Sequence, residues 1–479
     1  MAAKTNLRKI LVRLGLVLAL LIAALSFALW IKPPDLLRVG ANYSAKIVCS
    51  NVFLAGRDPD EVLRSDVQAP GVALLRLMRV SVDRGQHTVH AGLLGFIGGG
   101  LAVARPGTGC TVVPDVKITW AIGAGAEPGA APGEAAAAAA VQPSAAAAPV
   151  GDSARTDAAW PEGDTVATTA ALDRILADDA LAGPGMRAIV VVEHGRIVGE
   201  RYGAGFTTTT PLLGWSMTKS VVAGLVGMLI KDGRLSLDQS AGWPAGDDRA
   251  RIRIGDLLAM SSGLRFNEAY GAVSDVTRML YLEADMARFA REQPPEHPAG
   301  EFWSYSSGTA NILSRIVQDA AAPLGAAYPR ERLFNPLGMS SATLETDATG
   351  TFVGSSYMYA TARDWARYGL FLSQGGVWRG QELLPPGYVA MMASPVAASG
   401  GQYGHGLVWL WGSDAIVPGK NPDTAFGIPA DTFWMEGHDG QSTAIIPSRE
   451  LVIVRLGLTP SRDHYQPQPL VQAVLNSLR

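Results

Sequence analysis

The sequence predicts an α+β fold for residues 158–479: one antiparallel sheet flanked by helices, with a second, mostly helical subdomain. Three observations predict it. A hairpin signal stands near the start of this stretch, a second stands near its end, and helical patterns fill the interior. Runs of strands at both ends, without strand–helix alternation, point to α+β layering rather than to βαβ units.

In chain order, residues 170–180 carry a helical apolar period. The β-branched run 188–192 then turns at His194-Gly195 into a second strand over 197–202. Residues 221–230 are continuously apolar and read as a buried helix. Strands over 442–446 and 451–456 turn at 447–450, and a helix over 470–478 closes the chain.

Three segments precede this unit. Residues 1–31 carry Lys4, Arg8, Lys9 and Arg13, followed by an uncharged run over 14–31. Eighteen residues rise roughly 27 Å as a helix, close to the ~30 Å hydrocarbon core of a bilayer. A small-x-small cleavage site at Ser26-Phe27-Ala28 would cut inside the apolar run, so an uncleaved anchor is preferred over a signal peptide. Either way the rest of the chain is exported, to the periplasmic or extracellular side of a single-pass span. Lys32, Arg38 and Lys46 follow the span and weaken the orientation signal. Residues 32–122 read as a small, mostly β or irregular region with alternation at Val80-Ser81-Val82 and a Gly-rich turn at 98–100. Residues 123–157 are Ala, Pro and Gly-rich and read as a disordered linker.

The chain has 479 residues and a formal net charge of −3, with no basic run in its body, which sets nucleic-acid binding aside. Two cysteines, Cys49 and Cys110, exclude a four-thiolate zinc site. In an exported body they are free to form a disulfide, the alternative being two buried thiols. No H-E-x-x-H and no phosphate loop is present, so neither metal nor nucleotide cofactor is expected. His87, His90 and His194 read as surface positions, while His297 and His405 are candidates for the walls of a cleft.

One serine stands out. Gly214-Trp215-Ser216-Met217-Thr218-Lys219 runs into the apolar helix, which puts Ser216 at a helix N-terminus with Lys219 one turn on, on the same face. A serine hydroxyl needs a neighbour to take its proton, and a lysine serves once burial populates its neutral amine. S-x-x-K alone also fits an N-cap followed by a solvated lysine. A nucleophile elbow is excluded, because Thr218 stands where G-x-S-x-G needs its last glycine.

Two later stretches complete a pattern: Tyr305-Ser306-Ser307, and His438-Asp439-Gly440 before the strand 442–446. With Ser216-Met217-Thr218-Lys219 they resemble, in order, the S-x-x-K, Y-x-N (or Y-x-S) and K-T-G (or H-x-G) motifs of the β-lactamase-related serine hydrolases. That family includes class C β-lactamases, DD-peptidases, certain esterases and 6-aminohexanoate-dimer hydrolases. Connecting text such as Phe334-Asn-Pro-Leu-Gly-Met339 is similar too, and the resemblance covers most of 160–478. It implies a β-lactamase/transpeptidase-like fold. It implies Ser216 as nucleophile, Lys219 as base and Tyr305 as proton shuttle. Ser307 takes the substrate-orienting position, with His438 where lactamases hold a lysine. Gly440 would allow close approach of substrate, and the Gln441 N–H would complete an oxyanion hole with that of Ser216. A hydroxyl at Ser307 offers fewer donors than an amide, and His438 brings no fixed positive charge. The absence of that charge favours small uncharged amides or esters as substrates. The other readings are a catalytically silent envelope binding protein and a true β-lactamase or DD-peptidase. Several aromatic residues near the motifs, Trp215 and Trp409 among them, are core or acyl-pocket candidates.

Overall fold

A computed structural model describes residues 2–114, 157–412 and 422–478. The linker expected over 123–157 lies outside the described residues except for Asp157.

Helix α1 (Ala2–Ile31) contains an apolar stretch, Leu11–Ile31, long enough to cross a membrane and with none of it buried in protein. Pro33 and Pro34 separate it from helix α2 (Asp35–Phe53), which is buried along most of its length. Strands β1 (Met78–Asp83), β2 (Thr88–Leu93), β3 (Ile97–Arg105) and β4 (Gly109–Val112) follow as an antiparallel meander. The expected mostly β region therefore contains a long helix that the sequence reading missed. α2 lacks a clean apolar stripe because Asn42, Ser44, Lys46, Ser50 and Asn51 are buried on it, each satisfied by a tertiary partner or by its own helix. The run 98–100 lies inside β3 rather than in a turn. Gly100 is glycine because a Cβ there would stand 2.3 Å from the Ala41 backbone of α2. Cys49 on α2 and Cys110 on β4 are joined in a disulfide.

In the larger unit, helix α3 (Ala170–Ala177) precedes strands β5 (Met186–Glu193) and β6 (Arg196–Tyr202). Helices α4 (Met217–Lys231), α5 (Ser307–Ala320) and α6 (Ala362–Ser373) come next. Strands β7 (Phe433–Gly437), β8 (Gln441–Ile446) and β9 (Leu451–Gly457), and helix α7 (Gln468–Ser477), end the chain. The sheet runs β7-β8-β9-β5-β6, antiparallel throughout, so strands from both ends of the unit meet at the β9–β5 pair, where Ile453 faces Val191. Both faces are covered. Ile189, Val191 and Ile453 pack with Leu172 of α3 and Val474 of α7, while Val190, Val192 and Val452 join the core on the α6 side. Burial on both faces explains why 188–192 reads as an unbroken apolar run rather than an alternating one.

The N-terminal module, α2 with the segment after it and the β1–β4 meander, is tied into this unit by charge. Lys46 pairs with Glu345, which also accepts from Ser50 Oγ at 2.9 Å and from the Cys110 N–H at 2.5 Å, all buried. Asp66 bridges Arg57 at 2.7 Å and Arg187 of β5 at 2.6 Å.

Candidate active site

Ser216 is the residue just ahead of α4, and Trp215 before it holds φ +48°, a left-handed conformation rare for a bulky side chain. Trp215 is kept there among the rings of Tyr357 (5.9 Å between centroids) and His438 (5.6 Å). The Gly214 N–H is fixed to the Met358 carbonyl at 3.0 Å. No acceptor for the Ser216 N–H is found among the described residues, as befits one of the first N–H groups of a helix. α4 is buried on nearly every side, and its rigidity fixes the first turn on which both Ser216 and Lys219 sit.

Lys219 Nζ lies 2.9 Å from Ser216 Oγ, 3.2 Å from Ser307 Oγ and 2.8 Å from the Ser355 carbonyl oxygen. Burial lowers its pKa to about 8, with the charge of Glu268 working the other way. The identities of the three neighbours decide where its lone pair goes. A carbonyl oxygen can only accept, and the Ser307 hydroxyl already donates to Glu268 Oε1 at 2.6 Å, so it too accepts from the amine. A neutral Lys219 therefore spends its two N–H bonds on Ser355 and Ser307, leaving the lone pair for the Ser216 hydroxyl proton. That is the orientation a general base needs.

Tyr305 packs beside this pair, its ring centroid 4.8 Å from Lys219 Nζ and its ring stacked on Trp409 at 5.5 Å. Burial raises its pKa well above the ordinary phenol value, the charge of Glu268 adds to the rise, and a hydrogen bond with Ser216 opposes it. Glu436 accepts from the Trp411 indole at 2.9 Å, and burial pushes its carboxyl up to about 7.

The third motif forms the β7–β8 turn, His438–Gly440. It approaches the nucleophile segment closely: a Cβ on Gly437 would meet the Gly214 carbonyl oxygen at 2.2 Å. His438 stacks on Tyr270 at 5.0 Å and meets Trp215 edge-on, with its side chain 43% exposed to the cleft. Gly440 has a structural requirement of its own. It holds φ +78°, and a Cβ there would press on Arg455 Nη1 at 3.0 Å, so the turn and the interior by themselves require glycine here. The Gln441 side chain is also internal, its amide paired in both directions with the Gly457 backbone of β9 at 2.6 and 2.9 Å.

The structure thus brings Ser216, Lys219, Tyr305 and Ser307 together and sets His438 at the same cleft. Ser307 differs from its expected place as a group offered to substrate, since it is fully buried and engaged with Lys219 and Glu268. Sequence reading missed Glu268, on the loop 264–274, and the Ser355 carbonyl. No motif marks either, and both arrive through long-range folding. Ser355 reaches Lys219 because Gly354 lets its segment pass against α4 and α5; a Cβ there would stand 2.2 Å from Ser314 Oγ. Of the other candidates, His297 stacks on Phe302 at 3.9 Å in a separate surface groove. His405 is held by the Ser394 carbonyl at 2.9 Å. Among the described residues no group of three or more His, Cys, Asp or Glu side chains is placed to hold a metal ion.

A serine and lysine on the first turn of a buried helix, against the edge of an antiparallel sheet, define the β-lactamase-type fold class, whose members are serine hydrolases. Residues 176–467 match the Beta-lactamase family model, and the chain belongs to that family. It is 25% identical over 304 residues to the 6-aminohexanoate-dimer hydrolase of Paenarthrobacter ureafaciens, spanning 58% of this chain and 73% of that one. Two solved structures share the fold. A candidate 6-aminohexanoate-dimer hydrolase from Bacillus anthracis is 22% identical at a TM-score of 0.51, covering 61% of this chain and 79% of that one. A penicillin-binding protein homologue from Caulobacter crescentus is 18% identical at a TM-score of 0.50, covering 64% and 97%. The family match begins at residue 176, so α2 and the β1–β4 meander lie outside it.

Proposed function

We propose that this chain is an exported, membrane-anchored serine hydrolase that cleaves small amides or esters through an acyl-enzyme on Ser216. The observation that carries the reading is the 2.9 Å contact between Ser216 Oγ and a buried Lys219 amine whose pKa is lowered to about 8. In the acylation step neutral Lys219 takes the Ser216 proton as Oγ bonds to the substrate carbonyl carbon. The oxyanion rests on the N–H groups of Ser216 and Gln441. When the intermediate collapses, the C–O or C–N bond breaks and the proton passes by way of Tyr305 to the departing oxygen or nitrogen. Water then adds to the ester carbonyl, losing its proton to the same base. Collapse of that second intermediate releases the carboxylic acid and returns the proton to Ser216 Oγ.

Export is supported by the membrane-length stretch Leu11–Ile31 and by the disulfide between Cys49 and Cys110, a bond that persists in oxidising compartments. His438, with no fixed charge, supports uncharged substrates over the carboxylate-bearing ones of lactamases and peptidases. Intact mass after treatment with a fluorophosphonate tests the reading. A single adduct on the wild type, absent from Ser216→Ala, is expected. A folded wild type that takes no adduct would sink the acyl-enzyme and favour a silent binding protein.

A further inference from the structure

Beside the third motif lies a cleft of ≈190 Å³ between the catalytic unit and the N-terminal module. One wall is Trp215, Tyr270, Ala272 and His438; the other is Leu36 and Val39 of α2 with Leu74 and Leu75 of the 3-10 turn Ala73–Leu77. The lining is mostly apolar, with Thr277, His438, the Asp439 carboxylate and the tyrosine hydroxyl-bearing rings as its polar members, and it includes Trp215, the residue immediately before Ser216. An apolar cavity of roughly 150 Å³ admits a benzene molecule, so this one takes an apolar chain of about six carbons or slightly more.

The far wall of this cleft reaches towards the membrane segment. Leu36 follows Ile31, the last residue of the apolar span, by at most about 18 Å of extended chain. Around it the module exposes Leu36, Val72, Leu77, Leu94 and Phe96, each 44–55% exposed. These belong to one neighbourhood. The Leu94 N–H bonds the Leu77 carbonyl at 2.9 Å, Gly98 in the strand after Phe96 rests on the Leu37 carbonyl, and Gly40 of α2 abuts Leu75 and Met78. Exposed Arg76 and Arg79 flank the cluster, the pairing of apolar and basic side chains that suits a lipid–water interface. Exposed large apolar side chains grouped in this way mark an interaction surface, and covalent attachment to a membrane-length helix says which surface covers it.

We propose that the N-terminal module seats this apolar face in the bilayer surface and that the cleft takes the hydrocarbon chain of an amphiphilic ester or amide, its carbonyl lying at Ser216. The inference rests on the acyl-enzyme reading above and names its substrate class. It also gives residues 35–112, which the family match does not cover, a role as the second wall of the substrate site.

The test uses the full chain in lipid nanodiscs, with p-nitrophenyl acetate and p-nitrophenyl octanoate as probes and fluorophosphonate labelling of Ser216 as a separate readout. Each buried methylene is worth about fourfold in binding, so with partial burial the wild type should favour octanoate over acetate by at least about tenfold in kcat/KM. Leu36→Glu with Val72→Glu places charge at the mouth of the cleft and should cut the octanoate-to-acetate ratio by about fivefold or more. Ala272→Trp plugs the cleft from the opposite wall, should do the same, and keeps the test decisive if the double variant fails to fold. A flat chain-length profile in the wild type, or a ratio that neither wall changes, with Ser216 still labelled, overturns this inference and leaves the acyl-enzyme standing. Absence of both label and turnover overturns both.

Discussion

Replacing Glu268 with glutamine should lower the pH at which the enzyme becomes active. Glu268 and Lys219 bond the same Ser307 hydroxyl, at 2.6 and 3.2 Å, so carboxylate and amine stand no more than roughly 6 Å apart. At that separation and an effective dielectric of about 20, the attraction is about 2.8 kcal/mol, or about two pKa units. Water in the half-open cleft weakens it, so one to two units is the expected shift. Burial sets Lys219 to about 8 with Glu268 already pulling upward. Without that charge its pKa falls, and the neutral amine proposed to take the Ser216 proton is populated at lower pH. The rising limb of kcat/KM against pH for p-nitrophenyl acetate, followed from about pH 6 to about pH 9.5, should move to lower pH by that amount. The plateau should fall somewhat, because a less basic amine is a weaker proton acceptor and because glutamine puts an NH2 donor in place of one of the two oxygens that separately accept from the Ser307 hydroxyl and, at 2.8 Å, from the Ser307 N–H. An inflection that stays in place or moves upward would refute the assignment of Lys219 as the titrating base.

Three further outcomes follow from the same contacts. Tyr305→Phe keeps the ring that packs on Trp409 but removes the hydroxyl, so kcat for the ester should drop by about 10²–10⁴ with little change in thermal midpoint. Lys46→Met leaves Glu345 buried without its cation, Ser50 and the Cys110 N–H being its remaining partners. It should cost about 3–5 kcal/mol in urea unfolding, reported by a tryptophan signal. Cys49→Ser opens a loop spanning 61 residues and should cost roughly 4 kcal/mol, read in the same way against the oxidised wild type.

The sequence by itself determined the parts whose cause is local. Period and turn chemistry gave the two hairpins and the helix that carries Ser216, because apolar runs bounded by turn residues have few alternatives. The spacing of Ser216 and Lys219 put them on one helical face, as any i, i+3 pair must be. The tertiary structure decided what those residues can do. The lowered pKa and the free lone pair of Lys219 come from its burial and from the Ser355 carbonyl and Ser307 hydroxyl that take its N–H bonds, with Glu268 holding the Ser307 hydroxyl; these arrive from three separate segments, and no local pattern encodes that meeting. Gly440 is required by the left-handed turn and by the approach of Arg455, neither of which its motif announces. α2 was hidden for a related reason. Its buried polar side chains, Lys46 and Asn42 among them, break the amphipathic period, and they are tolerable only because partners such as Glu345 and the Tyr281 carbonyl are delivered from far along the chain. Local periodicity reports which face of an element is apolar; the pairing of buried polar groups is a property of the whole fold and becomes legible only there.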